Sequence, residues 1–179
     1  MSTEAATSKR GIPAMDVIED VDKWLTAEGL SIEEAVKMLR ERLAKYEYVE
    51  MSMTQQKDKM NEKLPDYENS LKILDALEEK KEKGEPFHTT YLLSDEVYTK
   101  AVVPKPEKVC IWLGAGVMAE YDLAEARDLL TKNHDGVLKI IAELTSELAY
   151  TKDQITTTQV NVAHVYNHGV VKKKATSAK

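Results

Sequence analysis

The sequence predicts a mainly α fold: a long antiparallel two-helix coiled coil with two β-hairpins between its helices. Three observations carry that reading. Apolar residues recur every seven positions through two long, charged segments. Short runs rich in β-branched and aromatic residues, separated by turn residues, lie between those segments. Breakers are few, with 7 Gly and 5 Pro in 179 residues, while 31% of the chain is charged and only 6% aromatic. High charge with few breakers favours long helices, whose exposed faces take up the charge.

Residues 1–12 are small and polar and read as a disordered N-terminus. Residues 13–29 hold PAMDVIEDVDKWLTAE, with Met15, Ile18, Val21 and Leu25 at helical spacing and acids between them. That spacing predicts a short amphipathic helix closed by Gly29. Ser31 and Glu34 form a capping box, so a long helix is expected over 31–83. Its seam is Ile32, Leu39, Tyr46, Met53, Met60, Tyr67 and Leu74. The companion row (Val36, Leu43, Glu50, Lys57, Leu64, Leu71) is apolar except at Glu50 and Lys57. Pro65 should kink the helix. The charged run 78–83 and Gly84 should end it. Unbroken, it would be roughly 80 Å long at about 1.5 Å per residue.

Residues 87–121 change character. The runs 89–93, 96–103, 108–113 and 117–121 are strand-like, with turn material at 94–95, 104–106 and 114–116, which predicts two successive hairpins. From 122 a second helix runs to 168, with Asp122 as its cap and Glu125 at the third position. One seam row is Leu123, Leu130, Val137, Leu144, Thr151, Thr158 and Val165; the other is Ile141, Leu148, Ile155 and Val162. Gly169 reads as its end and 169–179 as a basic flexible tail. Antiparallel packing places the neighbourhood of Leu39 opposite that of Val165.

Chemistry-bearing motifs are few. GAGVMA at 114–119 fits the G-x-G-x-x-G/A fingerprint of a dinucleotide turn. That fingerprint needs a helix directly after the glycines and a second parallel strand after it. Here Val117 to Tyr121 is strand-like and a heptad helix follows, so the glycines read as a hairpin turn. There is no G-x-x-x-x-G-K-[ST] phosphate loop. His164 and His168, at i and i+4, could hold a metal but lack a third ligand nearby. Cys110, the single cysteine, reads as a small buried hydrophobe. The acidic residues fall on solvated helix faces rather than in a paired pocket. No catalytic residue, metal or cofactor is therefore expected. A net charge of −6 argues against nucleic-acid binding. No run approaches the roughly 20 apolar residues of a membrane span, and no signal peptide is read at the N-terminus.

Isolated hairpins are marginal in water and their edges invite pairing. Val97, Tyr98, Val102, Val109, Ile111 and Trp112 supply more apolar side chain than two hairpins can cover. Obligate assembly through this region follows as an expectation.

The order helix, two hairpins, helix resembles the alpha-class subunits of the prefoldin family. EKVCIWLGAGVMAEYD (107–122), ITTTQVNVAHVYN (155–167), GIPAMDVIEDVD (11–22) and YLLSDEVYTKAVVP (91–104) are similar to the third-subunit branch of its eukaryotic members. The resemblance covers residues 11–168. It implies a heterohexamer with one further alpha-class and four beta-class subunits, whose hairpins join in an oligomeric β-barrel. It also implies a cytoplasmic co-chaperone that binds non-native actin and tubulin without ATP and delivers them to the cytosolic group II chaperonin. Client contacts carried over from the family fall on Leu39, Leu43 and Tyr46 of the first helix. On the second helix they fall on Ile155, Val162, Val165 and Tyr166. The competing reading is a coiled-coil adaptor or tether that binds one folded partner.

Overall fold

The structure is a computed structural model that describes residues 8–177. The element order is α1 (Val21–Glu28), α2 (Ile32–Asn61), α3 (Leu64–Lys83), β1 (Phe87–Ser94), β2 (Val97–Val103), β3 (Lys108–Gly114), β4 (Val117–Asp122) and α4 (Leu123–Ser177). The chain divides into two compact units: residues 1–59 with 141–179, and residues 60–140.

In the first unit the heptad rows are the core. Leu39, Tyr46 and Met53 of α2 are buried, as are Leu144, Leu148, Thr151, Thr158 and Val165 of α4. Thr151 and Thr158 tolerate burial because each hydroxyl donates to the carbonyl four residues back, Glu147 and Gln154, at 2.8 and 2.7 Å. The capping box forms as expected. The Glu34 amide donates to Ser31 Oγ at 3.3 Å, and the Ser31 amide donates to Glu34 Oε2 at 3.0 Å. The Ser31 hydroxyl, donating to Glu34 Oε2 at 2.7 Å, and after it the Ser31 amide hold the Glu34 carboxyl below its ordinary range.

Three expectations at the ends of the helices are corrected. Residues 13–20 are not helical; the helix starts only at Val21, and residues 8–20 form a non-helical strap along the helix pair. Within the expected disordered segment, residues 8–12 form a turn in which the Gly11 amide donates to the Ser8 carbonyl at 2.9 Å; residues 1–7 lie outside the described residues. Gly169 does not end α4, which runs on through residues expected as tail. It is buried against α2, where a Cβ would stand 2.8 Å from Ile32 Cγ2. Glycine serves there as a notch for close approach.

The second unit holds α3, the four strands and the start of α4. The expected kink at Pro65 is instead a break. α2 ends at Asn61, and Pro65 lies in the first turn of α3, where no intrahelical donor is needed. Gly84 closes α3 in the left-handed region, φ 66°. Two separate antiparallel sheets follow, β1–β2 and β3–β4. Gly114, Ala115 and Gly116 all have positive φ, so the glycines of GAGVMA form the turn of the second hairpin and Val117 already opens β4. Leu74 and Leu77 of α3 pack with Leu123 and Ala126 of α4, and Val109, Ile111 and Tyr121 lie against them. Arg127 ties α4 to α3: Nε and Nη2 donate to Glu78 at 3.1 and 2.7 Å, and Nη2 also reaches Asp75 at 2.7 Å.

Candidate functional site

Two surfaces carry the residues singled out by sequence. The first is the outward face of the hairpins. Strand side chains alternate between faces. Val109 and Ile111 therefore turn inward onto the Leu74–Leu123 cluster while Trp112 turns out. Tyr98 is 66% exposed and pairs across the strands with Leu92, also exposed. Trp112 is 61% exposed and pairs with Met118, likewise open. Val102 shares the face of Tyr98, and Leu93, Val97, Leu113 and Val117 near the hairpin turns are exposed as well. Of the six residues expected to drive assembly, Val97, Tyr98, Val102 and Trp112 are exposed, whereas Val109 and Ile111 are half-buried against the Leu74–Leu123 cluster. Cys110, expected to be buried, is exposed. Each two-stranded sheet also leaves strand edges without a partner in the other sheet.

The second surface is the end of the helix pair where α2 begins and α4 finishes. Sequence reasoning placed Leu39, Leu43, Tyr46, Ile155, Val162, Val165 and Tyr166 there. Leu39 and Val165 are 0% exposed, Tyr46 is buried, and Leu43, Ile155 and Val162 are half-buried; Tyr166 alone among the seven is exposed. Their cover is the strap and α1. Ile18, Val21 and Leu25 join Ala35, Leu39 and Val165 in one cluster, and Ile12 joins Tyr46, Met53, Leu144 and Leu148 in another.

The strap's backbone is satisfied by side chains of α4. The Met15 amide donates to Gln154 Oε1 at 2.7 Å. The Ile18 amide donates to Asn161 Oδ1 at 2.9 Å, and Asn161 Nδ2 donates to the Asp16 carbonyl at 2.8 Å. Asn161 is fully buried, so both of its amide groups are engaged where water cannot reach. His164 Nδ1 donates to the Ile18 carbonyl at 2.9 Å, and the Tyr46 hydroxyl donates to the Pro13 carbonyl at 2.9 Å. Burial pushes the Tyr46 phenol up. His168 Nε2 and Lys172 Nζ meet Asp22 at 3.0 and 3.1 Å, and Lys172 foremost, with His168, holds that carboxyl low. His164 and His168 are therefore strap and α1 contacts. Among the described residues no group of three or more His, Cys, Asp or Glu could hold a metal.

Sequence reasoning missed these donors and acceptors. Glu147, Gln154, Asn161 and His168 form a polar row at seven-residue spacing beside the apolar seam, and three of the four hold the strap or α1. It also missed Val160, Val170 and Val171, which with Tyr166 leave an exposed apolar stretch on a broad face of α4. Among the described residues no helix is long and apolar enough to cross a membrane.

The family model for prefoldin subunits matches residues 46–168. The chain is 59% identical over 176 residues to a probable prefoldin subunit 3 of Caenorhabditis elegans, covering 98% of this chain and 95% of the relative. It is 39% identical over 177 residues to prefoldin subunit 3 of Mus musculus, covering 97% and 90%. Against prefoldin subunit 3 of Homo sapiens it is 40% identical over 164 residues, covering 91% and 83%. Two heptad helices joined by two hairpins, and a match that spans nearly the whole chain, give one answer: the chain belongs to the prefoldin family.

Proposed function

We propose that this chain is one subunit of a heterohexameric prefoldin co-chaperone of the cytoplasm. It joins one further alpha-class and four beta-class subunits through a shared β-barrel. The complex binds non-native polypeptides, actin and tubulin among them, without ATP and passes them to the group II chaperonin. The observation that carries this reading is the open apolar face of the hairpins. Tyr98, Leu92, Trp112 and Met118 stand in solvent on sheets of two strands each, in a chain otherwise rich in charge. Exposed apolar pairs of that kind mark an interaction surface. A simple tether would need no sheets between its helices, so the hairpins weigh against the adaptor reading.

Client contact belongs at the α2-start, α4-finish end. Tyr166, Val160, Val170 and Val171 are directly available there. Leu39, Tyr46 and Val165 could contribute only when the strap and α1 lift. Each contact is weak, and avidity arises from several subunits acting together. The test is suppression of aggregation of denatured actin by the reconstituted complex. A Tyr166→Ser, Val171→Ser variant should assemble normally and suppress less. Unchanged suppression would remove this face from the client site.

A further inference from the structure

The strap and α2 enclose a groove of about 540 Å³ in the first unit. Its apolar floor and wall are Ile12, Pro13, Tyr46, Tyr48, Val49 and Met53. Tyr48 is an open aromatic side chain at its edge, 68% exposed. Three cations line it, Arg10 from the strap and Arg42 and Lys45 from α2, and no carboxylate does. This is a local excess of three positive charges on a chain whose net charge is −6.

The two guanidiniums of the groove meet only uncharged acceptors. Arg127, by contrast, is held by the carboxylates of Glu78 and Asp75. Arg10 instead touches only the neutral Gln56 amide, Oε1 at 3.4 Å, and Arg42 points Nη1 at the Met15 sulfur at 3.3 Å. Neither contact neutralises a guanidinium. The Gln56 contact is long and the Met15 thioether is a poor acceptor, so a carboxylate would displace either readily.

We propose that this groove is a docking site for an acidic peptide segment carrying a bulky apolar side chain. The carboxylates meet Arg10, Arg42 and Lys45, with the two guanidiniums able to bind bidentately. The apolar side chain lies over Ile12, Tyr46 and Val49 against the ring of Tyr48. The volume lies within the range of ligand pockets and suits two or three side chains. The site stands whether or not the client surface described above is correct, because it shares only Tyr46 with it and lies on the strap side of α2.

The test is calorimetric titration of the full chain, in the assembly it forms in its own cells. The probe is a hexapeptide capped at both ends: two glutamates, phenylalanine, leucine, two glutamates. Its counterpart carries glutamine at the four acidic positions. The acidic peptide is expected to bind, more weakly as salt rises, and about tenfold more tightly than the glutamine peptide. An Arg42→Glu, Lys45→Glu variant should lose about tenfold in affinity with helicity and assembly unchanged. Tyr48→Ala, a change at an exposed ring that the fold does not need, should weaken binding severalfold. A photoreactive group at the phenylalanine position should cross-link to Tyr48, Val49 or Met53. Equal affinity for the two peptides, or binding indifferent to both variants, would overturn the proposal. Displacement of the peptide by inorganic phosphate at similar concentration would show a bare anion site and overturn it as well. Self-association of the assembly that the charge-reversal variant abolishes would assign the groove to a second copy, with the same consequence.

Discussion

Gly136 and Gly169 lie in the same helix and should respond to alanine with opposite signs. Nothing within 4 Å would meet a Cβ at Gly136, so Gly136→Ala should stabilise by about 0.5–1 kcal/mol through helix propensity. At Gly169 the new methyl would stand 2.8 Å from Ile32 Cγ2. That carbon is fixed by β-branching and cannot swing away. Overpacking should outweigh propensity, leaving Gly169→Ala destabilised by about 1 kcal/mol. Thermal or denaturant unfolding of both variants checks the signs. In an Ile32→Ala background the Gly169 penalty should vanish, because the clashing atom is gone. The sequence alone suggested a helix stop at Gly169. A glycine before VVKKK looks like a C-cap, and only the neighbour on another helix shows that it is a notch.

At the scale of elements, the strap is the part least legible in the sequence. The heptad rows were readable because apolar side chains answer to one period, and nearly every residue read into them is buried or half-buried. Met15, Ile18, Val21 and Leu25 fitted a helical period equally well. What keeps residues 13–20 non-helical is the set of side-chain partners at Gln154, Asn161 and His164, about 140 positions away. Those partners satisfy the backbone groups that a helix would otherwise satisfy itself. The polar row Glu147, Gln154, Asn161, His168 was the available signal, and it is invisible to a search for apolar repeats. Asn161→Ala should therefore cost about 2 kcal/mol, chiefly because it strands the buried Ile18 amide. Hydrogen exchange should rise in residues 12–25 and stay unchanged in α3. Acid should loosen the same region. The Asp22 carboxyl is held below its unfolded value by Lys172 and His168. Its contribution is fully present above the ordinary carboxylate range and is lost as pH falls through its lowered value. Exchange in α1 should thus increase at acid pH in the wild type, and much less so in Asp22→Asn, which starts without that contribution.

At the scale of the whole molecule, the account rests on the hairpins as an assembly surface. Their existence and order were legible, because turn residues and β-branched runs alternate at short spacing. Their faces were only partly so. Ile111 and Trp112 are adjacent in sequence, yet pleating turns one onto the Leu74–Leu123 cluster and the other to solvent. The two positions therefore test different things. Ile111→Ser should lower the stability of the second unit by about 1–2 kcal/mol through lost apolar packing against the Leu74–Leu123 cluster. Tyr98→Ser with Trp112→Ser should leave helicity unchanged and remove apolar contact from the assembly face alone. The most direct measurement is native mass spectrometry of the tagged chain purified gently from its own cells, wild type beside the Tyr98→Ser, Trp112→Ser variant. The account predicts a complex of six different small subunits containing one copy of this chain, and a free or partially assembled chain for the variant. A homo-oligomer, a single large folded partner, or an intact hexamer in the variant would contradict it.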